Sequence, residues 1–343
     1  MNRGTNCRLH AQGVALVVVA VSHVASPLPA IAQEVDGGAA PVAVDSAGEV
    51  VALSFDWPVG LSAQIDFSQR RIARRGIGSD TLDMATTYRM RVEEHPRGLL
   101  MRTEGTEPMR LADSNADREV LMRDIMARLN SLVLSSVVSR DGTLLDVEGL
   151  GEMREAVRAS LQPLIRDLGP VGPEFRRIMD QMMSDEVLFA AAEDDWNAIV
   201  GFWAGADLEI GWTYKSQGEA PLPIYPDRTI PYDHEFSVLG RADCDTGDEM
   251  PTGECVHLHL VTRPNEAALA AAISEILPPL RVDGQQVGGP RMRLEVEHYV
   301  WLRAEPEGLL PHIIEMGSTV DTSGGPAGSA SESEVTRLVY HYD

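Results

Sequence analysis

Apolar and polar positions alternate with period two along much of the chain beyond residue 50. Val51, Leu53 and Phe55 alternate with Ala52, Ser54 and Asp56, and Leu61, Ala63, Ile65 and Phe67 with Ser62, Gln64, Asp66 and Ser68. The intervening Trp57-Pro58-Val59-Gly60 has turn chemistry, so these two runs predict a hairpin. From Leu82 to Val92 the pattern repeats, and His95-Pro96-Arg97-Gly98 turns it into Leu99–Thr103. One apolar and one polar face per strand is the mark of an antiparallel sheet with one wet side. The period then changes. Val120, Leu121, Ile125, Leu129 and Leu132 fall at helical spacing, with Asp113 or Ser114 placed to cap the start. Ser135–Ser139, Asp141-Gly142 and Thr143–Val147 predict a short hairpin, because Asp-Gly supplies the positive φ of a tight turn. Three more helical stripes follow up to Trp203, the first kinked at Pro163. Strands resume at Leu208. Phe236–Gly240 and Val256–Leu260 alternate on either side of a loop rich in turn formers. Glu266–Leu277 reads as a short helix, and Met292–Leu302, Leu309–Met316 and Val335–Tyr342 read as closing strands.

Strands before and after a helical block predict an α+β fold. The expectation is a curved antiparallel β-sheet built from both ends of the chain and packed against a central helical block at about 113–203. Residues 49–343 then form a single domain. The low-complexity stretch GSTVDTSGGPAGSASESE, about 317–334, predicts a mobile loop.

The N-terminus changes the picture of where this domain works. Arg3 and Arg8 precede the apolar run Gly13–Val21, which is too short to span a membrane, and Ala30-Ile31-Ala32 has the small-x-small pattern of a cleavage site. Residues 1–32 therefore read as a secretory signal peptide and 33–48 as a flexible mature N-terminus. The mature chain, with no other hydrophobic segment of spanning length, is expected to be exported, periplasmic or secreted. It would keep two cysteines, Cys244 and Cys255. An even count in an oxidising compartment predicts a disulfide across the hairpin loop, closing about a dozen residues and contributing about 2–3 kcal/mol.

Charge and motifs mostly exclude. Lys and Arg number 29 against 52 Asp and Glu, a formal net charge of −23. Such acidity argues against nucleic acid, whose phosphates need a basic face, and against nonspecific docking on anionic membranes. Lys215 is the one lysine, which leaves no Walker A loop and no Ser-x-x-Lys nucleophile. Gly-x-Ser-x-Gly, His-Glu-x-x-His and Gly-x-Gly-x-x-Gly are also missing. No cofactor is called for by any motif.

Several constellations remain. His257 and His259 in His-x-His on a strand put two imidazoles on one face about 7 Å apart, a geometry zinc can use if His298, His234 or His341 lies on an adjacent strand. The alternative is two histidines on the wet side of a hairpin. Asp243, Asp245, Asp248 and Glu249 crowd one loop, but Gly247 and Asp248 stand where an EF-hand needs a ligand and a glycine. Arg70, Arg71, Arg74 and Arg75 form a basic island that either binds an anion or pairs with the chain's own acids. Met122, Met126, Met153, Met179, Met182 and Met183 lie on the helical stripes, where methionine either fills core or lines an adaptable apolar ligand site.

The layout resembles that of uncharacterised secreted bacterial proteins of unassigned function. In these a first strand passes through a glycine turn, here Trp57-Pro58-Val59-Gly60, and a late strand carries a Glu-Gly-x-x-Pro turn, here Glu307-Gly308-Leu309-Leu310-Pro311. The resemblance implies a sheet-rich extracytoplasmic protein and supplies no catalytic residues. The leading expectation is a non-enzymatic envelope protein that binds a partner or an apolar small molecule. The alternatives are a metal-dependent hydrolase centred on His257 and His259, and a structural partner for another envelope protein.

Overall fold

The computed structural model describes residues 48–76, 78–114, 116–129, 131–222, 225–245, 254–276, 281–282, 285–286, 293–325 and 328–343. The expected signal peptide, the following tail up to residue 47, and Asp248 and Glu249 of the acidic loop lie outside the described residues.

Strands dominate. They are β1 (Val50–Ala52), β2 (Ser62–Arg75), β3 (Gly78–His95), β4 (Gly98–Gly105), β5 (Arg110–Asp113), β6 (Val133–Val138), β7 (Leu144–Glu148), β8 (Asp207–Glu209), β9 (Thr213–Leu222), β10 (Tyr225–Ala242), β11 (Cys255–Pro264), β12 (Arg281–Val282), β13 (Gln285–Gln286), β14 (Arg293–Glu305), β15 (Leu310–Gly325) and β16 (Gly328–Tyr342). The helices are α1 (Ala116–Leu129), α2 (Leu150–Asp167), α3 (Gly172–Met182), α4 (Asp185–Trp196) and α5 (Glu266–Ile276). A π-helical turn, Asn197–Gly201, continues α4.

Twelve strands form one open, curved sheet in the order β7-β6-β4-β3-β2-β16-β15-β14-β11-β10-β9, with β5 beside β3. β2 and β16 pair antiparallel, so the sheet is indeed made from both ends of the chain. The mixture is α+β, with sheet in the majority. Two expectations need correction. β1 pairs with β8 rather than with β2. Val51, Leu53 and Trp57 do alternate into the core, but their segment is held by other loops: Leu53 N–H donates to the Ala206 carbonyl at 2.8 Å and Ser54 N–H to the Pro306 carbonyl at 3.0 Å. The described residues of the stretch 317–334, which are 317–325 and 328–334, are strand rather than loop, paired from Gly317↔Val335 up to Gly325↔Gly328. β2 and β14 flank the β15–β16 hairpin and supply ladders on both sides, and this context overrides the poor strand propensity of Gly, Ser and Asp.

Three apolar clusters cover the inner face of the sheet. The first gathers Ile65, Val92, Leu258, Leu302 and Ile314 from the strands against Phe55, Trp57, Trp196 and Trp203. Its indoles are satisfied: Trp196 Nε1 donates to the Gly142 carbonyl at 2.6 Å and Trp203 Nε1 to the Ala198 carbonyl at 2.8 Å. The second packs α1–α4 over Leu82 and Met84 of β3. The third packs Leu269 and Ala272 of α5 on Ile230 and Tyr232 of β10. Gly98 turns β3 into β4 at φ 146°, where an added Cβ would lie 2.2 Å from the Val138 carbonyl oxygen, so β4 and β6 approach as closely as only glycine allows.

The outward face carries ion pairs instead. Arg263 meets Glu297 at 2.7 Å, Arg102 meets Glu93 at 3.1 Å, and Lys215 meets Glu235. The expected disulfide is formed: Cys244 and Cys255 bridge with Cα atoms 5.1 Å apart.

Candidate functional site

Side chains alternate across a strand, so residues of one parity face the helices. On β10 these are Tyr232, His234, Phe236 and Val238; on β14, Val296, His298, Val300 and Leu302. Cross-strand register then aligns polar residues into one transverse row. Ser216 of β9 stands opposite His234, His234 opposite Thr262 of β11, and Thr262 opposite His298. His298 stands opposite Ser318 of β15, Ser318 opposite Glu334 of β16, and Glu334 opposite Arg71 of β2. The neighbouring row on one side is mostly apolar: Tyr214, Phe236, Leu260, Val300 and Met316, all part of the first cluster. On the other side lie Tyr232 and Val296 of the third cluster. At the β9–β14 end, then, the polar row is a seam between two apolar clusters.

Its two ends differ. At the β16–β2 end the groups are closed on one another. Arg71, 8% exposed, donates from Nε to Glu332 Oε1 at 2.8 Å, and Gln69 donates to the carboxylate of buried Glu334. At the other end His234 is 0% exposed, with Nδ1 3.0 Å from Thr262 Oγ1. The imidazole lies near-parallel to the Tyr232 ring at 6.4 Å, with Phe202, just past the π-helical turn, at 6.2 Å. Its Nε2 and the Ser216 hydroxyl are both shut off from solvent and have no hydrogen-bonding partner among the described residues. Burial holds the His234 pKa below its ordinary value, with Asp233 opposing, so the imidazole is neutral at physiological pH. Tyr232 is pushed up to about 12 by burial and by negative Asp194, a buried residue of α4. The β9–β10 end of the row therefore offers neutral hydrogen-bonding groups, and the charges acting on Tyr232 and His234, those of Asp194 and Asp233, are negative. π-Helical turns such as the one beside Phe202 are frequent at functional sites.

The residues singled out from sequence fall elsewhere. Met122, Met179, Met182 and Met183 are buried in the second cluster, with Met126 and Met153 packed at its margin. His257 and His259 face outward on β11 and flank Trp301: His259 stacks on it at 3.8 Å and His257 is tilted at 5.1 Å. Burial lowers the His259 pKa, which Glu297 partly offsets. The register sends His234 and His298 to the opposite face, and His341 is bonded to Asp66 at 3.2 Å. Among the described residues neither His257 nor His259 belongs to a group of three metal-ligating side chains. The one such group is Cys244, Cys255 and His312, whose sulfurs are already joined to each other. Of the basic island, Arg71 pairs with Glu332 and Arg70 with Asp83, as self-pairing predicts. Two surface depressions of about 470 Å³, one by Asp146, Asp185 and Glu186 and the other at the hairpin tips by Arg74 and Asp321, include no residue of the row.

Neither a family model nor a curated protein matches the chain. Among solved structures it is similar to an outer membrane channel from Pseudomonas putida F1, at 8% identity and TM-score 0.18 over 84% of this chain and 98% of that one. It is also similar to Pseudomonas aeruginosa OpdR, at 6% identity and TM-score 0.15 over the same shares. Likeness at this level carries no argument for this chain. Its own faces are informative: a membrane-spanning barrel turns apolar side chains outward, whereas here the outward face holds ion pairs and the apolar clusters lie inside.

Proposed function

We propose that this chain is an exported, non-enzymatic binding protein that takes a mainly apolar ligand on the inner face of its sheet, along the seam marked by Ser216, His234, Thr262 and His298. The observation that carries the reading is the pair of buried polar groups without partners among the described residues, His234 Nε2 and Ser216 Oγ, in a row flanked by apolar clusters. Buried polar groups are almost always paired, and each exception calls for a partner such as a ligand or an ordered water. Apolar pockets with a few convergent polar groups are the usual form of small-molecule sites. Export is supported by the disulfide, which persists in oxidising compartments, and by the leader-like N-terminus.

The test is native mass spectrometry of protein recovered from the periplasm or medium, with organic extraction of the denatured sample. A bound apolar species released on unfolding is the expected result. No adduct, together with no competition by any apolar probe for bound Nile red, refutes the reading.

A further inference from the structure

The geometry points to an apolar ligand that ends in a neutral hydroxyl or carbonyl, taken by Ser216 and His234, rather than one ending in a carboxylate or phosphate. This deepens the binding reading above and rests on it. Ser216 and His234 are cross-strand neighbours on the inner face, and each leaves a buried polar atom unpartnered among the described residues. A serine hydroxyl both donates and accepts. A neutral imidazole whose Nδ1 is engaged by Thr262 offers one further site at Nε2, a donor or an acceptor according to which way the Thr262 hydroxyl points. Together they complement a single hydroxyl, which also donates and accepts, or a carbonyl. Both flanks are apolar: Phe236 and Leu260 on one side, Tyr232 on the other. Phe202, only partly buried and just past the π-helical turn, lies 6.2 Å from the imidazole and adds a further apolar neighbour.

An anionic head fits badly for two reasons. Taking a carboxylate out of water is costly without a counter-charge. The charges that act on this end of the row, Asp194 on Tyr232 and Asp233 on His234, are both negative. The row's arginine, Arg71, is five strands away and already paired with Glu332.

The experiment measures competition for Nile red on the full-length mature protein by dodecanol, dodecane and dodecanoate, with the acid fully ionised. The expected order is dodecanol first, about fivefold or more tighter than dodecane, as one well-made neutral hydrogen bond is worth. Dodecanoate is weaker than dodecanol by at least as much. Ser216→Ala brings dodecanol down to the level of dodecane, and Asp194→Asn tightens dodecanoate while leaving dodecanol in place. The wild-type series decides the inference without depending on either variant's folding. Equal affinity for dodecanol and dodecane means that a buried water serves the two groups, and it overturns the inference. Dodecanoate binding as tightly as dodecanol overturns it too, and in both cases the apolar-binding reading stands. Failure of all three probes to compete removes that reading instead.

Discussion

Replacing Ser216 by alanine should make the ligand-free protein more stable. The Ser216 hydroxyl is shut off from solvent and unpartnered among the described residues, and a buried unpaired hydroxyl costs about 1–3 kcal/mol. Alanine removes that penalty. Two effects oppose it. Alanine is somewhat depleted in strands, on a propensity scale spanning about 1 kcal/mol, and β9 lies at the edge of the sheet where that preference is weakest. The space left by one oxygen is smaller than the one-methylene change in a well-packed core that costs about 0.5–1.5 kcal/mol. Relief of the unpaired hydroxyl wins, by about 0.5–2 kcal/mol. The measurement is urea unfolding of delipidated protein, with Ser68→Ala as a control for strand preference, because Ser68 is exposed on β2. A Ser216→Ala midpoint above both wild type and the control is expected. A variant less stable than wild type by 1 kcal/mol or more would falsify the reasoning, since the hydroxyl would then have a partner whose loss is felt.

Two further perturbations test other parts of the fold. The Cys244–Cys255 bridge closes a loop of sequence separation 11, which chain entropy values at about 3 kcal/mol; the double serine variant should lose about that much in urea unfolding, and an unchanged midpoint contradicts the entropic account. The folded protein holds the His234 and His259 pKa values down by burial, while the unfolded histidines protonate near about 6.5. Their stabilising contribution is therefore complete above about pH 6.5 and is lost as pH falls, at up to about 1.4 kcal/mol per pH unit for each. Urea midpoints taken from about pH 7.5 down to 5 should fall, and His234→Gln or His259→Gln should each flatten the slope; a slope unchanged in both variants refutes the assignment.

The alternation of β2, β3 and β14 was plain in the sequence because each has one buried and one wet face. The helical stripes were legible because Ile125, Leu161, Phe175 and Leu188 of α1–α4 gather in one cluster, although Val120, on the expected α1 stripe, is exposed. The disulfide followed from two cysteines flanking turn formers between alternating runs. The partner of β1 did not follow, because Val51 and Leu53 show that they are buried but not against what, and the answer lies more than 150 residues away at β8. The β15–β16 tip did not follow either: a Gly/Ser/Glu composition reads as a linker until neighbours on both sides supply hydrogen bonds. The polar row left a trace that could have been followed. His234, His298 and Thr262 sit on the apolar phase of their strands, between residues such as Phe236, Val300 and Leu260. One polar residue on an apolar phase is unremarked; three that coincide make a polar row, but the coincidence depends on register across three strands, and local pattern does not fix register.

The asymmetry of that row is what separates a structural reading from a functional one. A sheet that needed only to fold would fill these inward positions with Val, Ile or Leu, as the adjacent row largely does with Leu260 and Val300. Polar residues inside a core cost stability unless they satisfy one another. At the β2–β16 end they do, through Arg71–Glu332 and Gln69–Glu334, and that end needs nothing more than its own side chains. At the β9–β10 end the same row stops short: Thr262 serves one nitrogen of His234, and the other nitrogen and the Ser216 hydroxyl have no partner among the described residues. One row, closed at one end and open at the other among the described residues, is the asymmetry on which the proposed binding reading rests.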